Sequence, residues 1–240
     1  MMTEKKERIA KVMAAAGLCS RRDAEKWIEA GRVCVNGTLL TTPACTVGIN
    51  DTITVDGKPL GAKQERRLWC YHKAAGLMTT HRDPQGRPTV FEKLPDYLPR
   101  VISVGRLDFN SEGLLLLTTD GALARSLELP TKGWKRKYRV RVHGRLTPEM
   151  IARLKKGMTI DGVRYAPCVA EVEREQGANT WLLITLTEGK NREIRRLMEH
   201  FGLPVTRLIR VSYGPFQLGN LAVGEVREIP TRIMKAFICE

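Results

Sequence analysis

The sequence lacks the features that mark several common classes of protein. Its 240 residues contain no run of about 18 apolar residues, so no membrane-spanning helix is expected. The six cysteines form no Cys-x-x-Cys pair and the four histidines have no ligand spacing, so we predict neither a disulfide framework nor a metal site. No Gly-x-x-x-x-Gly-Lys-Ser/Thr loop and no glycine-rich turn suited to an adenosyl group occurs, so neither a nucleotide-binding switch nor an adenosyl-dependent methyltransferase is indicated. The opening residues lack the apolar core of a secretory signal, which predicts a cytoplasmic protein.

Acidic residues are scarce relative to basic ones. Forty Lys and Arg stand against 26 Asp and Glu, which gives a formal net charge of +14 and a pI near 9.8. A field of this strength attracts polyanions, and nucleic acid is the leading candidate partner. The alternatives are a basic protein without such a partner and one that binds acidic membranes, and the positions of the charges must decide among them.

The first 60 residues predict a small module of two helices followed by short strands. Ser20 has the position of a helix N-cap, with Asp23 as its capping-box partner. Alternating strands end at two turn dipeptides, Asn36-Gly37 and Asp56-Gly57, that are typical of hairpins. The apolar residues of the first helix recur at helical spacing at Ile9, Val12, Met13 and Ala16.

Beyond a polar segment at 62–67, the pattern changes to alternating strands and helices. We therefore place domain boundaries at 1–61, 62–67 as a linker, and 68–240. The fold class expected for this chain is α+β. Strands are predicted at Leu68–Tyr71, Val101–Val104, Leu114–Thr118, Tyr138–Val142 and Leu182–Leu186, and helices at Ala122–Leu127 and Met150–Lys156.

The carboxylate of Asp108 stands in a polar loop bounded by glycines. The loop, Gly105–Gly113, leads directly into four leucines at 114–117. This apolar run has the length of a strand buried on both faces, so Asp108 is expected at the rim of the core on a rigid element. Such an aspartate either takes part in chemistry or caps its own turn.

A basic helix is predicted after Glu188. Ile194, Leu197, Met198 and Phe201 form its apolar stripe, and Gly202 ends it. At about 100° per residue, Arg195 lies at the edge of this stripe, where a long side chain can reach into a cleft. A cation there would keep a neighbouring carboxylate ionised. A solvated surface arginine is the alternative.

A run of basic residues without any acid surrounds Tyr138. Strand alternation sends Lys137, Arg139 and Arg141 to one face and Tyr138 to the other. The basic face is expected to meet solvent or RNA, and the tyrosine a pocket or the core. The run comprises Lys132, Lys135, Arg136, Lys137, Arg139, Arg141 and Arg145.

Several of these motifs resemble known families. Ser20–Ala24, Gly31–Val33 and Val35–Gly37 resemble the S4 RNA-binding domain, over about residues 6 to 60. The rest of the chain resembles the pseudouridine synthases that modify ribosomal RNA, and is most similar to the type B enzymes that act on the large subunit. The segments that carry this resemblance are the Asp108 loop, Glu188–Arg196, Asp83–Phe91 and Arg207–Gly214.

The resemblance implies an S4-type module followed by a mixed, mainly antiparallel sheet with flanking helices. It also implies isomerisation of uridine to pseudouridine in ribosomal RNA, with 23S RNA as the expected substrate, and with no cofactor and no metal. Asp108 would be the catalytic carboxylate and Arg195 its basic partner. Tyr138 would stack on the uracil or transfer its proton, and Leu208 would pack beneath the base.

Basic residues of both predicted domains are candidates for RNA contacts. We expect a monomer that acts on ribosomal RNA or a ribosomal precursor particle and does not bind membranes. A non-catalytic S4-domain ribosome-assembly factor is the alternative, and it would need none of Asp108, Tyr138 and Arg195. The predicted substrate-binding residues are Arg106, Leu208, Lys11, Arg21, Arg22, Lys26, Arg32, Lys137, Arg139 and Arg192.

Overall fold

A computed structural model describes residues 6–129 and 133–238 of the chain. Lys132, from the predicted basic run, and Cys239 lie outside these residues. The chain forms two compact units. The first contains the described residues up to Arg67 together with Asp96–Ile102 and Thr118–Gly121, and the second contains Leu68–Pro95, Ser103–Leu117 and the residues from Ala122 onward.

The described residues form six α-helices, one 3₁₀ helix and 17 strands. The helices are α1 (Ile9–Ala15), α2 (Arg21–Glu29), α3 (Gly121–Glu128), α4 (Pro148–Lys156), α5 (Glu193–His200) and α6 (Thr231–Ile238), with the 3₁₀ turn at Phe91–Lys93. The strands are β1 (Glu7–Arg8), β2 (Val33–Val35), β3 (Thr38–Leu39), β4 (Thr46–Val47), β5 (Ile53–Val55), β6 (Lys58–Pro59), β7 (Leu68–Lys73), β8 (Ile102–Val104), β9 (Glu112–Thr118), β10 (Arg136–His143), β11 (Met158–Ile160), β12 (Val163–Tyr165), β13 (Val169–Gln176), β14 (Asn179–Leu186), β15 (Val205–Tyr213), β16 (Phe216–Gln217) and β17 (Val226–Glu228).

Two helices and a four-stranded sheet, ordered β3-β2-β5-β6, make up most of the first unit. The predicted capping box is confirmed, because the Asp23 N–H donates to Ser20 Oγ at 3.1 Å and the Ser20 N–H donates to the Asp23 carboxylate. Both hairpin turns have positive φ at both central residues, as the primed turns that suit twisted strands require. The core of this unit includes Ile9, Met13, Ala24, Ile28 and Val33.

The segment predicted as a linker has no regular secondary structure, yet its main chain and side chains are hydrogen-bonded within the first unit. The Gln64 N–H donates to the Ala15 carbonyl at 2.9 Å. Arg66 Nε donates to the Asp120 carboxylate, also at 2.9 Å. These bonds hold the segment at both ends, so it does not behave as a loose tether.

A nine-stranded sheet forms the second unit. Its order is β13-β14-β10-β15-β9-β7-β17, with β16 paired to β15 and β8 to β9. Strand β10 pairs antiparallel with β14 and β15, whereas β9 and β15 run parallel. Leu114–Leu117 are fully buried, as predicted from the length of the leucine run. The α+β class with a mixed, mainly antiparallel sheet is confirmed.

Some strands and one helix were not predicted from the sequence. The edge strand β13 is almost entirely exposed and carries charged residues, so it has no apolar face to detect. The short hairpin of β11 and β12 and the helix α6 were also not predicted. In contrast, the helix predicted at Met150–Lys156 is confirmed as α4, which begins two residues earlier, with Thr147 as its cap and Pro148 in its first turn. None of the described helices is both long and apolar enough to span a bilayer.

Candidate active site

A cavity of about 630 Å³ opens in the second unit beside the Asp108 loop. Its walls come from the segment around Met78–Thr80, the Asp108 loop, β10, the start of α5 and β15. Five of the residues predicted from the sequence line this cavity. They are Arg106, Asp108, Tyr138, Arg192 and Leu208.

The Asp108 loop is fixed by hydrogen bonds on both sides of the aspartate. Thr79 Oγ1 donates to the Leu107 carbonyl at 2.9 Å, and the Gly105 N–H donates to Glu128 Oε1 at 2.7 Å. The Ser111 N–H donates to the main-chain oxygen of Asp108 at 3.0 Å and closes a turn. The Asp108 side chain is half-buried at the cavity wall while its backbone is held in place.

Lys73 supports this loop from inside the protein. Its side chain is fully buried, and Nζ donates to the carbonyls of Asp108, Phe109 and Ser111 at 3.1, 3.3 and 2.8 Å, and to that of Ala74 at 2.9 Å. Burial lowers the pKa of Lys73 to about 8, although the nearby Asp108 carboxylate opposes the shift. Sequence reasoning missed this lysine. The signal available was a lysine ending the apolar strand that begins at Leu68.

Arg195 reaches the Asp108 loop from α5. Nη2 donates to the Asn110 carbonyl at 2.9 Å, and Nη1 donates to the Val205 carbonyl at 3.1 Å. Burial lowers the pKa of Arg195 and the neighbouring Arg192 lowers it further, while Asp108 raises it. Among the described residues no direct ion pair joins Arg195 to the Asp108 carboxylate, so its observed contact with the loop is to the backbone.

Tyr138 is buried on the cavity side of β10. Strand alternation is confirmed, since Tyr138, Val140 and Val142 are buried and the residues between them are more exposed. Lys137 and Arg139 therefore lie on the opposite face from the tyrosine and do not line the cavity. Arg139 instead forms an ion pair with Glu173 at 2.6 Å and lies 4.9 Å from the centre of the Trp181 ring.

Strand β15 contributes Leu208 and Arg210 to the same wall. Both are buried and two residues apart, so they share one face of the strand. Arg210 pairs directly with Tyr138 across β10 and β15, which places both on one side of the sheet. The sequence had drawn attention to Leu208, whereas Arg210 was not predicted as a site residue.

Glu193, at the start of α5, is a buried carboxyl group in the cavity wall. Its Oε2 accepts from the Lys190 N–H at 2.8 Å, and among the described residues Oε1 has no hydrogen-bond partner. Burial raises the pKa of Glu193 to about 7, and the adjacent Glu188 carboxyl also raises it. Sequence reasoning missed Glu193, because a charged residue in a basic helix suggests a solvated position.

Positive side chains surround the mouth of the cavity. Arg106 and Arg192 are exposed there, and Arg192 has a left-handed backbone with φ of 50°. Asp83 accepts from Arg87 in a bidentate pair that holds the pKa of the Asp83 carboxyl at about 2. The other basic residues that line the cavity are Arg136, Lys190 and Arg210.

The basic residues predicted in the N-terminal module are distributed around α2 in the first unit. Arg21, Arg22 and Lys26 are exposed. The other two have partners: Lys11 is paired with Glu7 at 2.5 Å, and Arg32 is paired with Asp56 and lies over the Trp27 ring. The structure thus leaves three of these five side chains directly available to a phosphate backbone.

The described residues contain no cluster of three or more His, Cys, Asp or Glu side chains suited to a metal ion. The cavity brings together a carboxylate, a tyrosine and several cations. A carboxylate near a sugar can act as nucleophile or base, and cations at the rim attract a polyanion. Fold and cavity together define an enzyme for acid–base or nucleophilic chemistry on an anionic substrate.

Two family profiles match the chain. Residues 67–200 match the RNA pseudouridylate synthase family, and residues 7–53 match the S4 domain. The chain is 51% identical over 229 residues to an uncharacterized RNA pseudouridine synthase of Rickettsia bellii, covering 95% of this chain and 99% of that one. The chain therefore belongs to the RNA pseudouridylate synthase family, whose members are isomerases.

One further relative agrees with this assignment, and one solved structure agrees with the fold. The chain is 44% identical over 233 residues to the ribosomal large subunit pseudouridine synthase B of Pseudomonas aeruginosa, covering 94% of this chain and 60% of that protein. A crystal structure of a pseudouridylate synthase superposes with a TM-score of 0.68 at 23% identity, covering 95% of this chain and 98% of that one. At that identity the superposition supports the fold alone.

Proposed function

We propose that this protein isomerises a specific uridine of ribosomal RNA to pseudouridine, and that the target lies in the 23S RNA of the large subunit. The single observation that carries the proposal is the half-buried Asp108 at the wall of a cavity with cations at its mouth. The similarity to a pseudouridine synthase B of the large ribosomal subunit supports the choice of RNA.

The reaction moves the ribose from N1 to C5 of the same uracil. The carboxylate of Asp108 acts on the ribose, as a nucleophile at C1′ or as a base at C2′. As a nucleophile it forms an ester to C1′, and this bond breaks when C5 attacks C1′. As a base it removes the C2′ proton and returns it to C2′ when the C5–C1′ bond forms. The C1′–N1 bond breaks and its electron pair stays with the uracil, which then turns within the cavity. A C5–C1′ bond forms, C5 loses its proton, and N1 gains one, so atoms and electrons balance without an external reactant.

The other predicted residues have roles that fit their positions. Arg195 positions Asp108 by holding the Asn110 carbonyl of the same loop. Tyr138 contacts the extruded base with its ring or exchanges the C5 proton through its hydroxyl group. Leu208 packs beneath the uracil. The extruded nucleotide enters past Arg106 and Arg192, whose charges contact its flanking phosphates.

The S4 module supplies affinity for the folded RNA around the target. Exposed Arg21, Arg22 and Lys26 on α2 track phosphates, while Lys11 and Arg32 contribute after exchanging their carboxylate partners. We place the module at 1–61, its linker at 62–67 and the catalytic domain at 68–240. The protein acts in the cytoplasm as a monomer on 23S RNA or its precursor particle.

The test is a comparison of the wild type with Asp108→Asn, which keeps the shape of the side chain and removes its charge. After incubation with 23S and 16S RNA, pseudouridines are mapped by carbodiimide labelling and primer extension. We expect a new stop in 23S RNA with the wild type and none with Asp108→Asn, while both proteins bind the RNA equally. Asp161→Asn, in an exposed turn, is the matched control and should retain activity.

The assembly-factor alternative makes the opposite prediction. It requires RNA binding by the wild type with no new pseudouridine on free RNA or on precursor particles. That result would remove the catalytic role proposed for Asp108, and a stop that persists in Asp108→Asn would do the same.

A further inference from the structure

Arg210 is a buried cation in the cavity wall with an unused hydrogen-bond donor. Only 3% of the residue is exposed, and its Nε donates to the Leu114 carbonyl at 2.7 Å. Among the described residues its Nη2 has no hydrogen-bond partner. A buried charged donor without a partner is destabilising, so its presence in a cavity wall calls for a functional explanation.

The position of Arg210 is set by the sheet. It is the cross-strand partner of Tyr138 and lies two residues from Leu208 on the same face of β15. These three residues therefore form one continuous patch of the cavity wall. Under the proposed function, Tyr138 and Leu208 meet the extruded uracil, so the guanidinium of Arg210 meets the same base.

The guanidinium is also held in a fixed orientation. Its Nε is bound to the strand that follows the Asp108 loop, and its Cζ lies 5.1 Å from the centre of the Tyr213 ring. Lys73 is a second buried cation close enough to interact electrostatically with it. Neither of these two side chains forms an ion pair among the described residues; their observed bonds go to backbone carbonyls.

We propose that Arg210 is a catalytic residue that donates its free N–H to a carbonyl oxygen of the uracil. This inference rests on the proposed function. When the C1′–N1 bond breaks, the electron pair on N1 is delocalised onto O2 and O4, and the two buried cations stabilise this charge. Such a preorganised donor acts most strongly where charge develops in the transition state and water is excluded.

The test measures single-turnover rates and RNA affinity separately for Arg210→Met, Arg210→Lys and the wild type. We expect Arg210→Met to lower the single-turnover rate by a factor on the order of 10² to 10³. RNA affinity should stay within about twofold of the wild type, because most of the affinity comes from phosphate contacts. Arg164→Met is the matched control: Arg164 is an exposed arginine of β12 that lies outside the cavity lining, and its loss should leave the rate unchanged.

Substrates with 2-thiouridine or 4-thiouridine at the target position show which carbonyl oxygen of the uracil accepts from Arg210. They also distinguish this contact from a purely structural role of Arg210. Sulfur is a weaker acceptor, so one of the two substitutions should slow the wild type and have no added effect in Arg210→Met. Arg210→Lys keeps the positive charge but loses the paired N–H donors of the guanidinium, so it should show an intermediate rate. If Arg210→Met does not fold, the lysine variant is compared with the wild type on the same thiouridine substrates.

The outcomes separate this inference from the proposed function. An active wild type with an equally active Arg210→Met would overturn the role of Arg210 alone, as would thio effects of equal size in the wild type and the variants. A wild type that forms no pseudouridine on any ribosomal RNA would overturn both. The proposal is supported if Arg210→Met lowers the rate and a thiouridine substrate that slows the wild type does not slow this variant further.

Discussion

The buried ammonium group of Lys73 lies 3.1 Å from the main-chain oxygen of Asp108, while the Asp108 carboxylate lines the cavity on the other side of the same residue. Backbone and side chain of the aspartate thus serve different partners. Lys73 holds the backbone of the loop, and the carboxylate remains available to the cavity. The loop can therefore be rigid while the carboxylate of Asp108 stays available for chemistry.

Replacing Lys73 by Met tests this support. The change removes the donor to four backbone carbonyls, so we expect the free energy of unfolding to fall by about 2–4 kcal/mol. Turnover should fall as well, because the Asp108 loop loses its internal anchor. Urea denaturation and single-turnover assays measure the two effects. Lys155→Met on the exposed face of α4 should change stability by less than about 0.5 kcal/mol.

Tyr138→Phe separates the ring from the hydroxyl group. The phenyl ring keeps the packing on β10, so RNA binding should be unchanged. If the hydroxyl group transfers the C5 proton, the rate of tritium release from 5-tritiated uridine in the target RNA should fall on the order of 10²-fold or more. A rate equal to that of the wild type would restrict Tyr138 to stacking, and Tyr138→Leu would then show the larger defect.

The raised pKa of Glu193 predicts that the stability of the protein depends on pH. Its carboxyl pKa is raised from 4.5 to about 7 in the folded protein, so folding favours the protonated form. The stabilisation is complete below the unfolded pKa and is lost as pH rises through about 7, by a total of about 3 kcal/mol. Glu193→Gln should remove this loss. Denaturation of both proteins from pH 4.5 to 8 should show their difference growing in favour of the glutamine variant, and a constant difference would contradict the prediction.

The close approach of β9 and β15 at Gly113 predicts that a side chain there would clash with the neighbouring strand. A Cβ atom there would lie 2.3 Å from the Arg210 carbonyl oxygen, and the residue has a φ of 103° that side chains rarely adopt. Gly113→Ala should therefore destabilise the protein by more than about 3 kcal/mol, through strain that local shifts cannot relieve. Gly177→Ala has positive φ but open space, so a loss of only about 1 kcal/mol is expected. Thermal denaturation of the two variants compares them directly.

Local signals in the sequence located many of the elements. The Ser20 capping box, the Asn36-Gly37 turn and the leucine run of β9 depend on neighbouring residues alone, so they can be read directly from the chain. The exposed strand β13 lacks such a signal. Its place in the sheet follows from pairing with β14, which depends on tertiary structure.

The candidate site was only partly predictable for the same reason. Asp108 and Tyr138 stand out because each occupies a recognisable local pattern. Lys73 and Arg210 meet the Asp108 region from strands 35 or more positions away in the sequence, and a lone basic residue in a strand gives no indication that it is buried. Their importance follows from contacts that exist only in the folded sheet.

The outer face of β10 has a consequence for how the second unit approaches its substrate. There Arg139, and Arg145 just beyond the strand, pair with Glu173 and Glu175 of β13. These carboxylates offset part of the positive charge of the outer face, which also carries Lys137 and Arg141. A polyanion is therefore attracted to this face less strongly than the basic run in the sequence alone implies.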